Sequence, residues 1–106
     1  MNQSYQTIEV RKTDGFAAWI ARLTDREALR RIIIRIARIE AGLLGDVKPV
    51  GAGVPEVRID HGPGYRVYFV QRGSRLIILP CGGDKGSQKR DITRAQALAA
   101  GLEDES

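Results

Sequence analysis

The sequence predicts an α+β fold in which one antiparallel-rich sheet carries a helical hairpin on one face. Two alternating runs flank Gly62-Pro63-Gly64, as in a β-hairpin, and two helical repeats of apolar residues precede them. A short, continuously apolar run follows the hairpin. We expect the order β-α-α-β-β-β-α, with an N-terminal αα-hairpin on one sheet face and a C-terminal helix. The 106 residues are one domain's worth, with an acidic tail over about 102–106.

The first third of the chain predicts a strand and a short helix. Polar and apolar residues alternate over residues 5–10, which favours a strand. Thr13 or Asp14 then caps a helix. The apolar residues of this helix recur with helical spacing and are Phe16, Trp19, Ile20 and Leu23.

A longer second helix begins at Thr24–Glu27, which fits a capping box, and ends near Gly42. One side of this helix is apolar and consists of Leu29, Ile32, Ile33, Ile36 and Leu43. The opposite side, which we name the arginine ridge, consists of Arg30, Arg31, Arg35 and Arg38. Ile34 interrupts the arginine ridge. It either packs against the first helix or belongs to a surface that binds a partner.

The hairpin follows a glycine-rich, irregular lead-in over residues 45–53 that contains Lys48. Alternation predicts a register with four cross-strand pairs: Glu56 with Tyr68, Val57 with Val67, Arg58 with Arg66, and Ile59 with Tyr65. Two arginines directly opposite each other repel. They indicate either an anion between them or two solvated side chains, each neutralised by Glu56 or Asp60.

The C-terminal part predicts a strand with both faces at least partly covered, over residues 75–81, and a helix over residues 87–100. Ser87 is the expected N-cap, Gly101 the expected stop, and the helix is expected to pack along an edge. The second sheet face then stays partly open and displays Glu56, Arg58, Arg66 and Tyr68. Loops that carry Lys48, His61 and Lys85 lie at one end of this face. The turn before the last helix either binds a phosphate with Lys85 and Lys89 or is simply a capped turn.

The charge distribution favours a polyanionic partner. The net charge is +4, and because the tail holds three acids, Glu103–Glu105, the remaining chain carries about +7. One cysteine and one histidine are too few for a metal site, and we expect no cofactor. The chain shows no signal peptide and no run of about 20 apolar residues. We therefore expect a cytoplasmic protein without a membrane segment.

Six short motifs follow one another in a fixed order along the chain. They are Phe16-x-x-Trp-Ile-x-x-Leu-x-Asp25, Ile36-Ala-Arg-Ile39, Gly45-Asp-x-Lys-x-Val-Gly51, Gly53-Val-x-Glu-x-Arg-Ile59, Gly62-Pro-Gly-Tyr-Arg-Val-Tyr-Phe69 and Gly82-Gly-Asp-Lys-x-x-Gln-x-x-Asp-Ile92. Together they resemble the toxins of type II toxin–antitoxin modules in the RelE/ParE superfamily. The resemblance is to the HigB-like group, often called addiction module killer proteins. It covers most of the chain, from about Phe16 to Ala97.

The resemblance implies a metal-independent, ribosome-dependent mRNA endonuclease (an mRNA interferase) that inhibits translation and is neutralised by a cognate antitoxin. The toxin–antitoxin complex is expected to be a higher-order hetero-oligomer that binds operator DNA through the antitoxin. In this chemistry the 2′-hydroxyl of the RNA attacks the adjacent phosphate, which requires cations and two proton transfers. The alternatives are a ParE-like inhibitor of DNA gyrase and a catalytically degenerate protein that only binds antitoxin.

The resemblance also implies roles for particular residues. The catalytic candidates are Arg66, Arg58, Lys48, Lys85 and Tyr68. The residues expected to bind RNA are Lys89, Arg90, His61 and Gln88, and those expected to bind antitoxin are Arg30, Ile34 and Arg38. The chain lacks a tyrosine after Tyr68, whereas RelE has one near its C-terminus. The general base therefore stays open among Tyr68, Lys48 and His61.

Overall fold

The computed structural model describes residues 8–73 and 76–105 of the chain. Its elements are β1 (Glu9–Lys12), α1 (Asp14–Arg22), α2 (Arg26–Glu40), β2 (Val47–Pro49), β3 (Pro55–Ile59), β4 (Tyr65–Arg72), β5 (Leu76–Gly83), a 3-10 turn (Lys85–Ser87) and α3 (Gln88–Glu105). The predicted α+β class is confirmed, with one additional short strand, β2. Residues 5–7 of the predicted first strand lie outside the described residues.

The five strands form one mixed sheet in the order β1-β5-β4-β3-β2. β1 runs parallel to β5, and the other three neighbouring pairs are antiparallel, so the sheet is antiparallel-rich as predicted. The irregular lead-in predicted before the hairpin is wrong at one point, because Val47–Pro49 pairs with Pro55–Val57 as an edge strand. Pro49 has no amide hydrogen and glycines flank the strand, so its local sequence does not favour strand structure.

The predicted hairpin register is confirmed in all four pairs. Glu56 lies opposite Tyr68, Val57 opposite Val67, Arg58 opposite Arg66, and Ile59 opposite Tyr65. Gly62 and Gly64 in the connecting loop have φ angles of 57° and 80°. These left-handed conformations suit glycine, which has no Cβ to clash.

The helical hairpin covers one sheet face and encloses the main core. The fully or nearly buried members of this core are Phe16, Ile32, Ile36, Ile39, Val57, Ile59, Val67, Phe69, Ile77 and Leu79. Trp19, Ile20 and Leu23 of the predicted first stripe pack against it from α1 and its C-cap. Thr13 caps α1 as predicted, since its hydroxyl accepts a hydrogen bond from the amide of Phe16.

The buried side of α2 differs slightly from the side that the sequence predicts. Ile33 and Leu43 are 54% and 63% exposed, whereas Ala28 and Ile39 are buried. The predicted capping box at Thr24 is also wrong, because the carboxylate of Asp25 accepts the amide hydrogens of the first turn instead. The N-cap of α2 therefore lies at Asp25, one residue later than predicted. The end near Gly42 is confirmed, as Gly42 (φ 85°) follows the last turn.

The last helix does not pack along an edge as predicted. It lies across β4 and β5 and closes a second core on the other sheet face, formed by Val54, Tyr68, Val70, Cys81, Ala95 and Ala99. Ala95 and Ala99 are small, so the helix comes close to the sheet and Tyr68 fills the space beneath it. The predicted open face is therefore wrong for most of its area. Within the described ranges, no helix combines the length and apolarity needed to cross a membrane.

The limits of α3 also differ from the prediction. The carboxylate of Asp84, and not Ser87, caps the turn that leads into the helix, by accepting from the amides of Gly86 and Ser87. Gly101 does not stop the helix, which continues to Glu105.

Two adjacent glycines allow helices to approach β5 from both faces. A Cβ on Gly82 would collide with the ring of Trp19 in α1. A Cβ on Gly83 would collide with the carboxylate of Asp91 in α3. Successive strand residues point to opposite faces. The Gly82-Gly83 pair therefore sets the distance of both helical layers from the sheet.

We expect Gly82→Ala to destabilise the fold by about 1–3 kcal/mol, the usual cost of forcing extra volume into a packed interior. Trp19 has little room to move, because its ring packs against Phe16 and Tyr65 at centroid distances of 5.6 and 6.4 Å. Urea unfolding monitored by circular dichroism measures this change. Gly101→Ala is the matched control, since nothing lies within 4 Å of its Cβ position. The control is expected to gain about 0.5–1 kcal/mol from helix propensity.

Candidate functional site

A groove of about 860 Å³ opens between α2 and the ends of β2, β3 and β4. It exists because β2 is only three residues long, so the segment of β3 beyond Val57 has no strand on the side away from β4. Its charged lining comprises six cations (Arg31, Arg35, Arg38, Lys48, Arg58 and Arg66) and three acids (Asp46, Glu56 and Asp60). The excess of positive charge makes the groove suited to an anion.

Glu56 is a fully buried carboxylate beneath this groove. Its Oε2 accepts hydrogen bonds from the hydroxyl of Tyr68 at 3.0 Å and from Nε2 of Gln88 at 2.9 Å. Burial acts to raise the pKa of Glu56. The hydrogen bonds from Gln88, Tyr68 and Arg58, together with the charge of Arg66, outweigh burial and hold the pKa below its ordinary value of 4.5. The side chain is therefore an anion at neutral pH.

Both cross-strand arginines are attracted to this carboxylate. Nε of Arg58 donates to Oε1 of Glu56 at 3.3 Å, and Nε of Arg66 lies 3.6 Å from Oε2. The Arg58 side chain is 52% exposed, whereas that of Arg66 is only 10% exposed. The prediction that Arg66 points to an open face is therefore wrong. The expected neutralisation by an acid is confirmed for Glu56, which serves both arginines.

Arg66 is held in an unusual way. Its Nη1 donates to the carbonyl of Gly64 at 3.0 Å. Its Nε is buried and has no hydrogen-bond partner among the described residues. Charge attraction to Glu56, rather than a hydrogen bond, orients this edge of the guanidinium.

Lys48 lies beside Glu56 on the neighbouring strand. The sheet register aligns Lys48, Glu56, Tyr68 and Cys81 in one row across four strands. Lys48 is exposed and lines the groove, as expected for a phosphate contact. Cys81, at the far end of the row, is buried under α3, and burial raises the pKa of its thiol to about 11. That thiol is a packing group.

Tyr68 does not lie where the sequence predicts. It is fully buried, and burial together with its hydrogen bond to Glu56 raises the pKa of its hydroxyl. The phenol is a protonated donor to Glu56 and has no exposed surface from which to contact a ligand. Gln88 has a similar position behind the groove, since its amide also donates to Glu56.

Arg35 is a residue of the groove that sequence reasoning missed. Its Nη2 donates to the carbonyls of Leu44 and Asp46 at 3.1 and 2.9 Å, and its Nη1 donates to the carbonyl of Arg58 at 3.4 Å. It thus ties the loop after α2 to the end of β3 that extends beyond β2. The feature of the sequence that could have indicated this role is Gly45, because a Cβ at that position would lie 2.8 Å from Nη2 of Arg35.

The remaining predicted residues are dispersed. Nε2 of His61 lies 3.0 Å from Oδ2 of Asp25 at the start of α2. Lys85 and Lys89 are exposed near the start of α3. Arg90 lines a second pocket of about 210 Å³, together with Arg22, Arg94, Asp84 and Asp91.

The three residues expected to bind antitoxin also lie in different environments. Arg30 is exposed and hydrogen-bonds to Glu27. Ile34 is 39% exposed and lines the groove beside Arg38, so the packing against α1 that one interpretation assigned to it does not occur.

The lowered pKa of Glu56 predicts a specific acid sensitivity. A carboxyl group whose pKa is depressed in the folded state adds stability above its unfolded pKa and loses that contribution as the pH falls through the folded pKa. Below about pH 4.5, we expect Glu56→Gln to flatten the decline in unfolding free energy by at most about 1.4 kcal/mol per pH unit, the limit for one proton. Urea titrations from neutral pH to about pH 3 measure both slopes.

Asp25 and Glu27 also have lowered pKa values, so only the difference between the two curves reports on Glu56. Asp60→Asn is the control, because Asp60 is exposed and lines the same groove. A Glu56→Gln slope equal to that of wild type would contradict the assignment of an ionised, stabilising carboxylate.

Comparison with known proteins identifies a relative but no function. No family model matches the chain. An uncharacterized protein of Haemophilus influenzae is 44% identical over 96 residues, which cover 91% of this chain and 97% of that protein. Identity at this level over nearly the full length of both proteins indicates common ancestry and a shared fold. The chain therefore belongs to the same family as this uncharacterized protein of Haemophilus influenzae.

Proposed function

We propose that the chain is the toxin of a type II toxin–antitoxin module, with the RelE-like topology of the RelE/ParE superfamily and closest in kind to the HigB-like group. Its activity is metal-independent cleavage of mRNA on the ribosome, and a cognate antitoxin neutralises it. The observation that carries the proposal is the pair Arg58 and Arg66. They lie opposite each other on the β-hairpin, line one cationic groove and share one buried carboxylate.

The proposed chemistry uses the RNA's own nucleophile. A bond forms between the 2′-oxygen and phosphorus while the bond from phosphorus to the 5′-oxygen breaks. The products are a 2′,3′-cyclic phosphate and a 5′-hydroxyl. A base takes the proton of the 2′-hydroxyl and an acid supplies one to the 5′-oxygen. Only RNA offers this hydroxyl.

Arg58 and Arg66 stabilise the negative charge that builds on the phosphorane-like transition state. Two guanidiniums at one phosphate suit this task, because each presents several donors in a fixed plane. Lys48 is the candidate for proton transfer or for a flanking phosphate contact, since it is exposed on the row of Glu56. Tyr68 is buried and His61 is hydrogen-bonded to Asp25, so neither is assigned a proton transfer.

Exposed Lys85, Lys89 and Arg90 lie outside the groove, near the start of α3. We assign them non-specific contacts to flanking phosphates, which strengthen binding at low salt. Gln88 lies behind the groove, so we assign it an indirect role through its hydrogen bond to Glu56.

We expect Arg58→Ala to abolish toxicity while the protein still folds. The half-exposed side chain donates to the buried carboxylate of Glu56, so its loss costs about 1–3 kcal/mol of unfolding free energy, while Tyr68 and Gln88 still donate to that carboxylate. Loss of one charge-assisted phosphate contact costs on the order of 3 kcal/mol in the transition state, about a hundredfold in rate. Induced expression without antitoxin, followed by mapping of transcript 5′ ends, measures cleavage. Arg26→Ala is the control, since Arg26 is an exposed arginine of α2 that does not line the groove.

The companion variant is Arg66→Lys, because Arg66→Ala would leave Glu56 short of a counter-charge in a buried site. The ammonium keeps the charge but not the planar fork, so partial rescue is expected. In-frame cuts that disappear in Arg58→Ala support the proposal. Wild-type cleavage by a folded Arg58→Ala protein contradicts the assigned role. Intact mRNA with double-strand DNA breaks in the wild type indicates gyrase as the target.

The proposed antitoxin site is the outer side of α2. Ile33 and Ile34 are exposed there, with Arg30 and Arg38 beside them. Apolar and basic groups together match an amphipathic acidic segment. We expect the product of the neighbouring small reading frame to form a complex that survives gel filtration at micromolar concentration.

Ile34→Asp is expected to weaken this complex at least about tenfold, since it places a charge in the apolar contact and repels an acidic partner. Ala18→Asp, on the exposed side of α1, is the control and should bind as wild type does. Isothermal titration calorimetry separates the two variants. Absence of any association by the wild type would refute the proposed partnership.

A further inference from the structure

The inner edges of the two groove arginines converge on one carboxylate. Glu56 receives Nε of Arg58 at 3.3 Å and lies 3.6 Å from Nε of Arg66. Both arginines also line the groove. With the Nε edge of each guanidinium directed at Glu56, the terminal nitrogens are the groups left to meet a ligand. Nη1 of Arg66 already donates one hydrogen bond, to the carbonyl of Gly64.

Glu56 is itself held from two directions. Tyr68 reaches it from β4 and Gln88 from α3, both through hydrogen bonds to Oε2. These donors are uncharged, so they orient the carboxylate without neutralising it. The position of the carboxylate is therefore determined by the second core, and the positions of the arginines follow from it.

The hold on Arg66 depends on charge. The 3.6 Å separation is beyond hydrogen-bond distance, and the buried Nε has no other partner among the described residues. A neutral side chain of the same shape at position 56 would exert almost no such attraction. The orientation of Arg66 is thus sensitive to the ionisation of one neighbouring group.

We infer that Glu56 is the positioning residue of the groove: it aligns Arg58 and Arg66 by their Nε edges so that both guanidiniums address one phosphate. The inference rests on the proposed RNA cleavage. It has a consequence that a purely structural carboxylate would lack. A negative charge in the groove weakens ground-state binding of a polyanion, while the alignment it imposes speeds the chemical step.

Removing the charge of Glu56 should therefore separate affinity from rate. For Glu56→Gln, we expect tighter binding of a non-cleavable 2′-O-methyl RNA, by about two- to fivefold at low salt, with a salt slope steeper by at most about 0.7. Cleavage of mRNA in programmed ribosomes, measured at saturating protein, should fall at least about tenfold because the guanidiniums of Arg58 and Arg66 are misaligned. Fluorescence anisotropy and single-turnover kinetics give the two quantities.

Asp60→Asn is the matched control. It removes the same charge from an exposed acid of the same groove that contacts neither arginine in the described structure. The gain in affinity should be similar, whereas the rate at saturation should fall severalfold less than in Glu56→Gln. If Glu56→Gln behaves as Asp60→Asn does, Glu56 is only a charge and the inference is overturned. If affinity and rate both fall in Glu56→Gln, the role is structural and the inference also fails.

Tyr68→Phe decides the matter if Glu56→Gln does not fold. It removes one support of the carboxylate and leaves the charge of the groove unchanged. Unchanged RNA affinity with a rate lowered severalfold supports positioning, and a wild-type rate overturns it.

A nuclear magnetic resonance measurement separates this inference from the proposed function. The Nε–H signal of Arg66 should be protected from exchange with water in wild type and Asp60→Asn, and lose that protection in Glu56→Gln. An unprotected signal in wild type overturns the alignment, whether or not RNA is cut. A protected signal in a wild-type protein that never cuts mRNA refutes the proposed function and leaves Glu56 as an organiser of the arginines alone.

Discussion

The buried carboxylate of Glu56 is the interaction on which the second half of this structure depends. An unpaired charge in a protein interior is strongly unfavourable, so such a group must be surrounded by donors. Here hydrogen-bond donors come from three elements, Arg58 on β3, Tyr68 on β4 and Gln88 on α3, and the charge of Arg66 on β4 lies close by. Meeting the needs of one side chain thus brings the hairpin and the last helix into a single arrangement.

Close approach of the helices to β5 is the second requirement. Gly82 leaves room for Trp19 on one face, and Gly83 leaves room for Asp91 on the other. Without side chains at these positions, α1 and α3 pack closely against β5, and Gln88 comes within reach of Glu56. The sheet is therefore covered on both faces although the helices that cover it differ greatly in apolar content.

The groove is what remains uncovered. β2 ends early, α3 covers β4 and β5, and α2 covers the opposite face, so the outer end of the hairpin stays accessible. Arg35 fixes the loop that borders it by donating to three backbone carbonyls. A rigid border with six cations and three acids is a surface on which a nucleic-acid backbone, or an acidic protein that mimics one, competes for the same charges. Such competition is the physical basis that we propose for neutralisation by a partner.

The outer side of α2 shares Ile34 and Arg38 with the groove but also has exposed apolar residues outside it. Ile33 on α2 and Leu43 just beyond its end are largely exposed, although their helical spacing resembles that of core residues. Exposed apolar groups beside arginines are unusual on a surface that meets only water. They are the reason why we propose that this helix buries one side in the core and binds the antitoxin with the other.

The sequence alone determined the local features of the fold. Strict alternation around Gly62-Pro63-Gly64 specifies the hairpin register, because a slip by one residue would expose Val57, Val67 and Phe69. The pairing of Arg58 with Arg66 follows from that register. The cap at Thr13 and the turn at Gly42 are likewise encoded within a few residues.

Only the tertiary structure decided which surfaces are covered. Alternation shows that Glu56, Arg66 and Tyr68 share a face, but not whether a helix lies on it, since this depends on contacts between residues far apart in the chain. Helix α3 has few large apolar residues from which its packing could be predicted, and its close approach to the sheet depends on Ala95, Ala99 and Gly83. The same long-range packing buries Tyr68, draws Arg66 to Glu56 and makes Arg35 part of the groove. Periodicity within a segment specifies its sides, whereas burial is a property of the neighbours that the whole fold supplies.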